Sequence, residues 1–161
     1  MSNLIYRTTF SVDLHEEKDV GQINSYLRKF NSLPENIQEV MKDRDASEKT
    51  ELRLIEEHGL GRNQILEAFR IGRDVLLCDV FIGDIVNHIS NRLGIDMASA
   101  KNVTAEIVGG LFAPAIDDIK KMQREKFAHR LSGGAARQRD ESPKINPISG
   151  VNEENVVNLR E

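Results

Sequence analysis

One apolar pattern occurs twice in this chain. ELRLIEEHGLGRNQILEAFRIGRDVLL (51–77) and VNHISNRLGIDMASAKNVTAEIVGGLF (86–112) align at a constant offset of 35 residues. Leu54 falls on Ile89, Gly59 on Gly94 and Leu60 on Ile95. Ile65 falls on Ala100, Ala68 on Val103, Gly72 on Ile107 and Leu76 on Leu111. Apolar residues recur at spacings of three and four, which is the period of a helix with one buried face. Each glycine stands where a helix stops in the left-handed conformation, with an apolar residue next to seal the ending. Each half therefore reads as a helix, a tight turn and a second helix. One hairpin this short cannot bury its own apolar stripe, so the two copies must stack and be covered. The expected fold is all-α: a compact bundle of six or seven short helices containing two tandem helix-turn-helix-like hairpins.

The flanks supply the cover. Residues 1–13 alternate weakly through Leu4, Tyr6, Thr8, Phe10 and Val12, which suits a short strand or, over 1–15, an extended N-terminal arm. The helical domain is expected over 16–131. A helix over 16–30 carries Val20, Ile23, Tyr26, Leu27 and Phe30, with Gly21 weakening it. Ser32 and Glu35 have capping-box spacing ahead of a short helix over 34–43. KDRDASEKT (42–50) is polar and reads as a loop, with Asp45 and Glu48 as a second capping box for a helix over 48–58. Asp96 is the N-cap expected for the helix after Gly94. Gly109 and Gly110 mark either a close helix crossing or a helix end. Pro114 suits the first turn of a last helix over 115–131. Beyond it, 132–161 is rich in Gly, Pro, Ser and charge and reads as a flexible tail.

Composition narrows the function classes. The aromatic share of the 161 residues is 5% with no Trp, which disfavours a β-sandwich or barrel. The single cysteine, Cys78, allows no internal disulfide and suits a reducing cytoplasm. No secretory leader is expected from the opening residues, and no apolar run nears the ~20 residues of a membrane span. The net charge of −4 argues against a nucleic-acid binder that uses its whole surface.

Two charged or apolar segments stand out. Lys120, Lys121, Arg124, Lys126, Arg130, Arg137 and Arg139 face Glu125 alone across 120–139, so the rest of the chain is strongly acidic. Such a segment can dock on phosphate, on an anionic membrane surface or on the acidic face of a partner, or simply be solvated. At the end of the tail, Val156, Val157, Leu159 and Arg160 form a short apolar cluster closed by a cation. A motif tethered in this way can dock in a partner's groove.

The residue types for catalysis do not converge. Asp84 and His88 have metal-ligand spacing on one helix but lack further ligands. His58 sits in a turn where a cation favours the end of a helix. Cys78 ends an apolar stripe and has no CxxC partner. GxxxxGK[ST], GxGxxG and GxSxG are absent. Neither hairpin is rich in base-reading groups. The second helix of the first offers Arg62, Asn63, Gln64, Arg70 and Arg73 beside Glu67 and Asp74; that of the second offers Lys101 and Asn102 beside Asp96 and Glu106.

Leu33-Pro34-Glu35, the Gly-apolar turns of GLGRNQILEAF and LGIDMASAKNV, and the closing Phe112-Ala113-Pro114 carry a resemblance over about residues 32–125. They resemble a small helical domain in uncharacterised proteins of reduced-genome candidate-phylum bacteria. Gly109–Gly110 departs from that pattern. The resemblance implies a helical fold and no activity. The chain is expected to be a cytoplasmic, non-enzymatic interaction or scaffold module with no cofactor and no metal. It is expected to bind a protein partner, with homo-oligomers left open. The alternative is a helix-turn-helix-type nucleic-acid-binding regulator using the basic segment 120–139.

Overall fold

In the computed structural model the described residues are 7–14 and 17–130. Among them are seven α-helices and no strand. They are α1 (Val20–Asn31), α2 (Glu35–Lys42), α3 (Arg44–Glu56), α4 (Arg62–Leu76), α5 (Ile85–Leu93), α6 (Met97–Ile107) and α7 (Ile116–Lys126). A 3-10 turn, Ile82–Asp84, leads into α5. A π-helical turn, Val108–Phe112, and a 3-10 turn, Ala113–Ala115, join α6 to α7. The chain divides into two units, 1–122 and 123–161. In the second, the described part is the end of α7 and the turn through Arg130.

The duplicated pattern is the core of the first unit. Leu54, Ile65, Ala68, Leu76, Ile89, Ala100, Val103, Ile107 and Leu111 are all buried. Gly59 and Gly94 both hold positive φ, 66° and 68°, which places their backbones in the region that costs other residues most. The two endings differ in detail. After α3 the Gly59 N–H donates to the Ile55 carbonyl at 3.1 Å, the bond of an αL ending, while the Leu60 N–H reaches the Leu54 carbonyl at 3.1 Å and Leu60 is buried. After α5 the Gly94 and Ile95 N–H groups both donate to the Ser90 carbonyl. The Ser90 hydroxyl then ties back to the Ile95 carbonyl at 2.7 Å. The corners interlock rather than stacking as equals. α5 lies against both α4 and α6, whereas α3 closes on α6 and the π-helical turn.

Three expectations are corrected. The polar stretch 42–50 is not a loop: α3 begins at Arg44, and Asp43 caps it by accepting the Ala46 N–H at 3.0 Å. Ser47, Thr50 and Glu51 turn inward and are buried, so a helix face that reads as solvated packs inside. Ser32 does not open a capping box. Its N–H and hydroxyl close α1 on the Arg28 and Lys29 carbonyls, and Pro34 precedes α2 without a side-chain cap. The arm is not extended where it is described. Residues 7–14 form turns that bury Thr9 and Val12, with the Phe10 N–H donating to the Met41 carbonyl at 3.0 Å.

Gly110 meets α3 closely: a Cβ there would lie 2.4 Å from Thr50 Oγ1, while one at Gly109 would meet nothing within 4 Å. One of the two glycines thus makes the close crossing. Cys78, buried, ends α4 and is the one non-glycine residue with positive φ (61°) among the described residues.

Candidate functional site

α1 is covered mainly at one end. Phe30, near its C-terminus, is its only buried residue. Phe10 anchors that end, with ring centroids 4.4 Å from Phe30 and 5.8 Å from Tyr26. The Tyr26 hydroxyl donates to the Phe10 carbonyl at 2.8 Å. Burial holds the Tyr26 phenol well above its ordinary pKa, so it remains a donor. Toward the N-terminus the cover thins, and Val20 is 68% exposed.

A cleft of about 620 Å3 opens beside this helix. Its walls come from Phe10, Asp13, Leu14, Glu17 and Asp19, from α1 as far as Lys29, and from the end of α4 through Asp79. Leu14, Ile23, Tyr26 and Leu77 supply apolar surface; Asp13, Glu17, Asp19, Asp74 and Asp79 supply carboxylates against Lys29 and Arg73.

The inner carboxylates are matched by cations. Asp13 accepts from Arg73 and, at 2.9 Å, from Arg70. Arg73 also reaches Asp74 at 3.2 Å, and Arg92 joins Asp74 to Glu67 at 3.6 and 2.8 Å. Lys29 pairs with Asp79 at 2.8 Å. The outer two carboxylates are not matched: Glu17 accepts the Asp19 N–H at 2.9 Å, and Asp19 caps α1 through the Gln22 N–H at 3.2 Å. Neither forms an ion pair among the described residues.

The network that ties residues 7–14 to α4 and α5 has an acid dependence. Burial works to raise the pKa of Asp13, but hydrogen bonds from Arg73 and Arg70 outweigh it and hold the group below its ordinary value of 3.8. For Glu67, burial likewise opposes the bonds from Arg70 and Arg92, which win and hold it below 4.5. A carboxylate depressed in the folded state stabilises above its unfolded pKa and loses that contribution as pH falls through the folded value. Melting temperature is therefore expected to drop as pH falls below about 4.5, the ordinary Glu value. Asp13→Asn is expected to be less stable at neutral pH and to show a shallower acid fall. Identical acid profiles for variant and wild type would remove this account.

Other candidate groups stay apart or are occupied. Glu57, His58 and Glu106 bring ligand atoms within 4.8 Å of one another. Arg53, however, already pairs with Glu106 at 2.7 Å and, first among the causes, holds its carboxyl low. His58 lies 3.1 Å from the same carboxylate. This cluster reads as a tie between the α3 end and α6. No third ligand group joins Asp84 and His88 among the described residues.

Of the base-reading groups on α4, Arg70 and Arg73 are held in the network. Gln64 is also engaged, accepting the Gly61 N–H and donating to the Leu93 carbonyl. On α6, Lys101 and Asn102 are exposed and Glu106 is held by Arg53. Lys120, Lys121, Arg124 and Lys126 are exposed on α7, and Arg130 is exposed just beyond it. Arg137 and Arg139, and the tail residues Val156, Val157, Leu159 and Arg160, lie outside the described residues.

No family model, curated protein or solved structure matches this chain. The site therefore stands on its own geometry. No helix among the described residues is long and apolar enough to cross a membrane. Sequence reasoning did not find the cleft. Its available signal was the set of acids Asp13, Glu17 and Asp19, which sequence alone does not connect to α4.

Proposed function

We propose that this chain is a non-enzymatic helical interaction module that engages a protein partner. The observation that carries the reading is the sparse cover of α1, whose one buried residue is Phe30, beside a cleft partly lined by apolar side chains. Apolar surface left open beside a groove is the usual mark of a protein-binding site. The terminal cluster Val156, Val157, Leu159 and Arg160 is a second point of engagement in this reading. Two weak contacts on one chain raise overall affinity through effective concentration.

Affinity capture with the whole chain and with a chain ending at Gly150 tests the tail. The shortened chain is expected to lose at least one partner. Identical partner sets would leave the tail with no part in binding.

One observation favours a second reading, that of a nucleic-acid-binding regulator. Lys120, Lys121, Arg124 and Lys126 are exposed on α7 and form no ion pair among the described residues. Phosphate contacts by such a stripe give affinity that falls steeply with salt. Duplex DNA retained at low salt and released by neutralising these four residues would favour this reading over the first.

A further inference from the structure

We propose that the α1–α4 cleft takes an amphipathic segment of a partner protein that carries lysine or arginine beside an aliphatic stripe. This rests on the interaction-module reading.

Shape sets the size of the occupant. The cleft is lined by α1 residues from Asp19 to Lys29, a length of about 15 Å at the helical rise. That is a trough for a short helix or a few extended residues. Gly21 contributes no side chain to it. Leu14, Ile23 and Leu77 offer an apolar floor. Aliphatic side chains from a partner would remove this surface from water.

Charge sets the sign of the occupant. Inside, Asp13, Asp74 and Asp79 already have Arg70, Arg73, Arg92 and Lys29 as partners. At the entrance Glu17 and Asp19 are bound, among the described residues, to backbone N–H groups alone. Glu17 and Asp19 are thus the lining carboxylates without a cation among the described residues, so a cationic segment finds partners at the entrance and an anionic one finds none. The entrance pair would take the first lysine or arginine, and the floor would take the aliphatic stripe.

The test uses the full chain and a labelled, helix-forming peptide of leucine, lysine and alanine, with a leucine stripe flanked by lysines. Its counterpart has glutamate in place of lysine. Fluorescence anisotropy is expected to show binding of the lysine peptide that weakens with salt, and none of the glutamate peptide. Glu17→Lys combined with Ile23→Lys is expected to weaken binding about tenfold, because it reverses the entrance charge and removes an apolar contact of the floor. Met97→Lys, at an exposed apolar residue on α6, is expected to leave it unchanged.

Equal affinity for the paired variant and wild type, equal loss in Met97→Lys, or no binding at low salt would each overturn the assignment. Should the paired variant melt early, amide shifts in the wild type decide. Peptide-induced shifts centred on Gly21, Ile23, Ser25 and Leu77 support the cleft; shifts centred elsewhere overturn it. If the paired variant captures the same partner proteins as wild type, the cleft assignment fails and the module reading survives. Peptide binding in the cleft with no protein captured would have the opposite meaning.

Discussion

Leu54→Ala and Ile89→Ala are each expected to lower the unfolding free energy by about 2–5 kcal/mol. Both side chains are fully buried, at 0% exposure, and they occupy matching positions of the two corners. Truncation removes buried apolar atoms and leaves a cavity that the neighbouring helices fill only in part. A domain of this size has about 5–15 kcal/mol in total, so either change consumes a large share. Leu52→Ala, on the same helix as Leu54 but 43% exposed, is expected to stay within about 0.5 kcal/mol of wild type. Urea denaturation monitored by circular dichroism separates these outcomes. A loss below about 1 kcal/mol at either buried site would mean that the two corners do not share the core described here.

Gly110→Ala is expected to cost about 1–3 kcal/mol, while its neighbour Gly109→Ala is expected to be neutral or to gain a few tenths. At Gly110 the new methyl group would lie 2.4 Å from Thr50 Oγ1 and 3.5 Å from Thr50 Cβ. Thr50 is only 2% exposed, so it has little room to move away. At Gly109 the methyl group would enter open space. If the clash is the cause, Thr50→Ala should restore much of the stability lost in Gly110→Ala, with a coupling of about 1 kcal/mol or more in a double-mutant cycle. Similar responses from both glycines, or no coupling with Thr50, would show that α3 does not approach the π-helical turn as closely as this.

The core was readable in the chain because burial in a helix leaves a periodic trace. The 35-residue offset marks Leu54 and Ile89, Ile65 and Ala100, and Leu76 and Leu111, and all six are inside. Gly59 and Gly94 were readable for a similar reason: a left-handed stop is a local requirement that one residue type meets best. The start of α3 was not readable. The stretch 42–50, with Ser47 and Thr50, looks like a solvated loop by composition, and only the elements packed against α3 give these two and Glu51 a reason to be inside. Residues 7–14 misled in the same way. Their turns are held by Met41, Tyr26, Arg70 and Arg73, all distant in sequence.

The candidate site divides along the same line. The basic segment and the terminal cluster are contiguous and can be seen as strings of letters. The cleft joins Glu17 and Asp19 to Asp74 and Asp79, which more than fifty residues separate.

From the amino-acid order alone came the all-α class, the doubled corner, its two glycine stops and the apolar residues that fill it. These follow from short-range periodicity and backbone sterics, which act within a few residues. Only the tertiary structure decided that α3 reaches the π-helical turn through Gly110, that Asp13 locks onto α4, and that α1 is left open along one side. Those depend on which helix faces meet, and a helix face carries no label for its partner.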